Sequence, residues 1–437
     1  GLAKANSKIP SSLVSMLLWL GGLKVIERVK GREQADLISQ SLTPAVGYLG
    51  KWMTLFLTPP LVMLPVAIRR DAKGTAATTW AKLLVIHCAG WVLSCVTSAA
   101  VAYALNKRRD VIAVTISSNS DKECLSKSPS SAADVTALSL DSGDEDAPNG
   151  GGVAAPPEIE DRSLEIWLKV AVASLALNKT VGLQPLAFAT TTSALIGAKQ
   201  LLPPAATKVF HPIVVAAAAT WAVLGATALE RGVSLDSILT QYMRPEKTGA
   251  GDLLNLLLNA SVSSLGIRMY SQWPILSENW KPLVGASSFG AFLSLFGTAW
   301  VAGKAKLPEN LSYPLVQRSV MSGLGMSGAK MLGASESLAV AGILITGVYG
   351  ATFGSKLMDY IGVKAQPKQV PDNNSIVRGA AMGSSAHAIG TAALLSEEPE
   401  AAAVSSVALC LTGIVHIALL TNSSTRQLVQ KLVRGTR

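Results

Sequence analysis

One histidine, two serines and a threonine sit among small residues in R-G-A-A-M-G-S-S-A-H-A-I-G-T-A, residues 378 to 392. The flanking runs are apolar enough to enter a membrane. There an ionisable group such as His387 is costly, and it faces a cavity or a partner. Ser384, Ser385 and Thr391 can hydrogen-bond to it or to a ligand, while Gly383 and Gly390 permit close backbone approach or a broken helix. The competing reading is a histidine satisfied by a neighbouring helix in a Gly/Ala packing face. Arg318, within P-L-V-Q-R-S-V-M-S-G-L-G-M-S-G-A-K (314–330), is the second candidate. A guanidinium can hold a carboxylate by two parallel hydrogen bonds. The plainer alternative is that it snorkels from a helix end, as Lys330 does at the other end of that segment.

Catalytic patterns are declined. Gly323-x-Gly325-x-x-Gly328 fits a dinucleotide fingerprint but lacks a βαβ unit, so it reads as membrane-helix packing. Ser327-x-x-Lys330 has no S-D-N or K-T-G companion. Ser384 or Ser385 beside His387 lacks a G-x-S-x-G elbow, and that spacing does not aim a hydroxyl at an imidazole. Cys88, Cys95, Cys124 and Cys410 form no CxxC, and neither a disulfide framework nor a metal site is supported. Neither an enzyme nor a cofactor is expected.

The elements that position these residues are set by hydropathy. The chain is 49% hydrophobic and 15% charged, far below the share of about 25% charged residues usual in soluble domains. Its mean hydropathy is +0.38. Apolar blocks long enough to cross a core of ~30 Å recur along it. They run Leu13–Ile26, Thr43–Ile68 and Leu83–Leu105, then, beyond a polar stretch, Leu164–Leu177, Leu183–Ala198, Pro212–Leu229, Leu253–Tyr270, Leu283–Ala302, Val316–Leu332, Leu338–Met358, Ala380–Leu395 and Ala401–Leu420. The fold class predicted is all-α, a polytopic membrane helix bundle of about twelve transmembrane segments. Pro44, Pro59, Pro60 and Pro65 predict a kinked or broken second block. Leu253–Tyr270 carries Asn255, Asn259, Ser261, Ser263, Ser264, Gly266 and Arg268, and resembles the 378–392 stretch in being polar and interrupted. Paired interruptions are the mark of discontinuous helices in an inverted repeat, so these two segments are expected to be such a pair within the C-terminal domain.

Net charge is +10, unevenly spread. Residues 110–161 hold eleven acidic residues against Lys122 and Lys127, so the rest of the chain is strongly basic. That excess lies in short loops such as Arg69-Arg70 and Lys107-Arg108-Arg109, as positive-inside anchoring in a lipid bilayer requires. Few of these charges line up on one helical face, which disfavours nucleic acid as a partner. The Ser-, Ala- and Gly-rich stretch 110–161 cannot bury a core and reads as a disordered acidic linker. It divides the chain into 1–109 and 162–437.

The 378–392 stretch, with S-E-E-P-E-A and A-L-C-L-T-G-I after it, resembles the signature region of the LrgB family of membrane proteins. K-V-F-H-P-I at 208–213, G-A-G-D at 249–252 and G-I-L-I-T-G-V-Y-G-A-T-F-G at 342–354 agree. I-P-S-S-L-V-S-M-L and G-K-W-M-T-L-F-L-T-P-P-L-V-M-L-P, before the linker, are similar to the LrgA family. An LrgA-like part joined to an LrgB-like part is the arrangement of the family's plastid members. The resemblance implies a multi-pass transporter of the chloroplast inner envelope, exporting glycolate and returning glycerate in photorespiration. It carries the signature onto Arg378, Gly379, Gly383, Ser385, His387, Gly390 and Thr391, and the family's basic position onto Arg318. Gln317 stands where the family has proline and Met321 where it usually has threonine. On this reading Arg318 holds the carboxylate, and Ser384, Ser385, His387, Thr391, Asn259 and Ser261 read the hydroxyl. Half-helix N-termini add positive potential, and His387 also carries a proton. The 1–109 part is expected to be a scaffold or a contact in a homo-oligomer. Two rival functions remain in view: transport of other short carboxylates such as pyruvate or lactate, and a holin-like role in membrane permeability.

Overall fold

Apolar blocks become helices because a helix satisfies every backbone hydrogen bond within itself, which hydrocarbon demands. The computed structural model describes residues 10–118, 162–203, 206–207, 210–244, 246, 248–365 and 373–435, and no strand occurs among them. The long helices are α1 (Ser11–Lys30), α2 (Arg32–Lys51), α3 (Ala77–Ser118), α4 (Arg162–Ala176), α5 (Leu183–Leu201), α6 (Pro212–Glu230) and α7 (Ala250–Ser271). They are followed by α8 (Trp280–Phe292), α9 (Glu309–Leu315), α10 (Ser322–Met331), α11 (Glu336–Tyr360), α12 (Asn373–Glu397), α13 (Pro399–Thr421) and α14 (Ser423–Arg434). Helix α3 runs nine residues past the boundary expected at 109, and residues 119–161, most of the predicted linker, lie outside the described residues.

Among the described residues, five helical spans are long and apolar enough to cross a membrane: Ala77–Asn106, Pro212–Glu230, Trp280–Lys304, Glu336–Tyr360 and Pro399–Thr421. A sixth follows if Arg32–Lys51 and Met53–Asp71, bent by 51° as the prolines predict, form one span. The expected total of about twelve is therefore not reached on length and hydropathy. That figure counted blocks as short as Leu13–Ile26, whose helix α1 extends into the charged Glu27, Arg28 and Lys30.

Two apolar segments are interrupted. In α12 the helical path breaks at His387, whose backbone takes φ 46° and ψ −145°. Between α9 and α10, residues 316–321 leave the helix altogether, following Pro314. Val316–Leu332, expected as one segment, is thus a short irregular stretch leading into α10. Three-residue turns carry the chain there: the Gln317 N–H donates to Pro314 O, Arg318 to Leu315 and Val320 to Gln317. By contrast α7 is one continuous helix, so Leu253–Tyr270 is not the broken partner of 380–395. Its hydroxyls turn inward on their own backbone: Ser261 donates to Leu257 O, Ser263 to Asn259 O and Ser264 to Ser261 O. Such back-bonding satisfies a polar side chain without unwinding the helix.

Around the breaks, α12 packs most extensively against α13, and α3 lies against α8, α11 and α12. The α12–α13 approach needs glycine: a β-carbon at Gly379 would stand 2.4 Å from Ala401 O, and one at Gly383 would stand 2.3 Å from Ser405 O.

Candidate functional site

Arg318, in the irregular stretch between α9 and α10, is 1% exposed. Its guanidinium donates to three hydroxyls and nothing else: Nε to Thr298 Oγ1 at 3.1 Å, Nη1 to Ser319 Oγ at 3.0 Å and Nη2 to Ser94 Oγ at 2.9 Å. No carboxylate pairs with it among the described residues. An interior charge without a counter-ion is strongly disfavoured, so a buried guanidinium met only by neutral hydroxyls calls for an explanation. The side chain fits because it crosses Gly90 of α3, where a β-carbon would meet Nε and Cζ at 2.9 Å. Thr298 follows a π-helical turn, Leu293–Gly297, whose Ser294 donates to Val316 O at the start of the irregular stretch. Such turns recur at functional sites.

Arg378 shows the contrast. It is equally buried, yet it pairs with Asp359 at 2.7 Å and with Glu398 in a two-point contact, and also donates to Val363 O. It ties the end of α11 to α12 and to the start of α13, and its charge is compensated by two carboxylates.

His387 is 2% exposed, and its Nε2 donates to Ile343 O of α11 at 2.8 Å, which leaves Nδ1 as the ring's proton acceptor. Thr391 Oγ1 donates to His387 O across the break and meets Ser405 Oγ at 2.7 Å. Gly390 turns beside Ala386, where a β-carbon would come within 2.5 Å of that methyl. Ser384 and Ser385 donate to Ala380 O and Ala381 O, so their lone pairs remain to accept.

Helix α3 joins the two breaks. Ser94 holds Arg318, Cys95 lies beside Ser385, and Ser98 and Ser384 both line Gly290, where a β-carbon would lie 3.2 Å from Ser98 Oγ and 3.1 Å from Ser384 Cβ. Arg318, Ser384 and Ser385 thus border one helix, whereas His387 faces α11. Asn259 and Ser261 are placed elsewhere: Asn259 is exposed on α7 beside a cavity of about 650 Å³, and Ser261 donates to Leu49 O of α2. Arg318 and His387 are both buried, and neither lines the cavity beside Asn259, so the wet cradle the sequence suggested is not at that cavity. Sequence reasoning missed Gly90, Ser94 and Ser98. The only hint was three small or hydroxylated residues at helical spacing within an apolar run.

Comparison with known proteins places the chain. The LrgB-like family matches residues 191–423, more than half of its length, and the match includes Arg318 and His387. The chain belongs to the LrgB-like family. Similarity extends further in one relative: the plastidal glycolate/glycerate translocator 1 of Arabidopsis thaliana is 27% identical over 97% of this chain and 75% of its own length. The holin-like protein CidB of Staphylococcus epidermidis is 28% identical over 39% of this chain and 70% of its own. No solved structure matches. This LrgB-like chain is accordingly a helical membrane protein whose relatives are named for translocation and holin-like roles. Helix α3, which holds Arg318, lies outside the family match.

Proposed function

We propose that this protein is a membrane transporter that exchanges glycolate for glycerate, and that it works in the chloroplast inner envelope. The observation that carries the reading is the buried guanidinium of Arg318, which meets three hydroxyls and, among the described residues, no acid. Both solutes are ionised near neutral pH and are excluded by hydrocarbon, so their carriage requires a fixed cation inside the bilayer. Arg318 supplies it, and one carboxylate neutralises it. The α-hydroxyl needs a partner that either accepts or donates, and Ser384, Ser385 and Thr391 at the break in α12 are of that kind. Interrupted helices give the site free backbone dipoles and let the halves of a span move separately. Burial of Arg318 and His387 requires an alternating-access cycle, in which rocking of one bundle against another opens the site to each side in turn. His387, with Nδ1 free to take a proton, couples exchange to pH. The substrate pair rests on the similarity to the Arabidopsis translocator.

Purified protein in liposomes loaded with unlabelled glycerate is expected to accumulate labelled glycolate with saturable kinetics. Competition by pyruvate or lactate equal to that by glycerate replaces the substrate pair with short monocarboxylates at large. Unsaturable leakage of both acids and of neutral solutes replaces the transporter with a holin-like role.

A further inference from the structure

Helix α3 presents four polar side chains at His87, Trp91, Ser94 and Ser98, a spacing of i, i+4, i+7 and i+11 that sets them on one face. All four are buried, although the helix borders lipid elsewhere, with Leu84, Val85 and Leu93 exposed. Three of them keep an interior polar atom without a hydrogen-bond partner: His87 Nε2, Trp91 Nε1 and Ser98 Oγ. The fourth, Ser94, bonds to Arg318. Gln317, next to Arg318 in the irregular stretch, is buried with both amide atoms unpartnered. Buried polar groups are nearly always satisfied, so orphans clustered on one stripe call for an explanation.

Their chemistry is ordered. His87 Nδ1 donates to Leu83 O, which leaves Nε2 a bare acceptor, placed next to Gly342 of α11. Trp91 Nε1 is a donor only, and sits by Gly350 and Ala386. Ser98 Oγ can do either and lies by Ser384. A donor set of Arg318, Trp91 and Ser98 suits a carboxylate, and a bare imidazole nitrogen suits the proton of a hydroxyl. The stripe extends about 16 Å along the helix axis, longer than any two- or three-carbon acid.

We propose that this face of α3 is one wall of the anion's path, along which a hydroxycarboxylate is handed past Arg318. The N-terminal segment then carries substrate contacts of its own, and is more than a scaffold or an oligomer contact. The inference rests on the transporter reading and gives it a route.

The test uses the full chain with its four native cysteines replaced by serine, in liposomes. Ser98→Cys on the stripe is expected to react with a charged methanethiosulfonate reagent and to be shielded by glycolate or glycerate. Leu93→Cys, facing lipid, is expected to gain no such shielding. In the native-cysteine chain, Trp91→Phe and Ser98→Ala are expected to raise KM about tenfold, the effect of one hydrogen bond to a charged group, without altering thermal unfolding. If the parent exchanges both acids while Ser98→Cys stays unreactive or unshielded and both substitutions leave KM unchanged, the path does not run along α3. If the parent exchanges neither acid but Ser98→Cys is shielded by another short carboxylate, the substrate assignment falls and the path stands.

Discussion

Arg318→Met separates a binding cation from a structural one. In the folded chain this guanidinium is met by three neutral hydroxyls and no carboxylate, so its removal strands no buried charge. Methionine keeps much of the stem's volume, and the hydroxyls of Ser94 and Thr298 lie on helices whose carbonyls can accept them. Replacing an interior ion by an apolar residue of similar volume is often neutral or stabilising, so unfolding free energy is expected to stay the same or to rise, by up to about 4 kcal/mol. Transport is expected to suffer far more. Losing one partner of a desolvated, hydrogen-bonded charge pair costs about 2–5 kcal/mol, which is roughly 30-fold to several-thousand-fold in KM at about 1.4 kcal/mol per decade. The assay is the initial rate of glycolate counterflow over a concentration series, with thermal unfolding of the same preparation in detergent. A variant whose KM stays within about threefold of the parent's, well below the penalty for any buried ion pair, would refute the argument. So would one that loses expression or unfolds early, because Arg318 would then be part of the framework.

Arg378→Met is expected to do the reverse, because it leaves Glu398 and Asp359 uncompensated; a loss of about 3–5 kcal/mol of stability should appear as early unfolding or failed expression. Gly383→Ala is expected to destabilise by about 1–3 kcal/mol, since the new methyl would meet Ser405 O at 2.3 Å; an unchanged unfolding temperature would contradict that packing. At His387 the backbone lies at φ 46°, where glycine is at ease and alanine is not. His387→Gly should therefore be the more stable of the two by about 1 kcal/mol, with exchange lost in both, and the reverse order would show that the break is absent. His387→Gln keeps a side-chain amide that can donate to Ile343 O but cannot take up a proton, so it is expected to retain some exchange and to lose the parent's dependence on pH; a pH profile identical to the parent's would remove the proton role.

How far the site could be read beforehand varies residue by residue. His387 stood out because a histidine between glycines in an apolar run has few bland explanations, and the chain does break there. Arg318 stood out as well, but whether it snorkelled or bound an anion depended on neighbours more than two hundred positions away, such as Ser94. Asn259 and Ser261 misled because polar composition was taken to mean interruption. Serine in a helix can bond to the carbonyl one turn back, and α7 stays whole. The real second break was hidden behind Pro314, in V-Q-R-S-V-M, whose composition resembles that of the helices around it.

The sequence by itself determined that the chain is helical, that it enters a membrane and that it resembles the LrgB family, because hydropathy and short motifs are properties of adjacent residues. Only the tertiary structure decided which of two equally buried arginines is neutralised by carboxylates, since that depends on whether a distant acid reaches it. It also decided that an N-terminal helix lies between the two breaks. Packing of small residues at Gly90, Gly290 and Gly350 allows that approach, and nothing local in the chain records which helices will meet there.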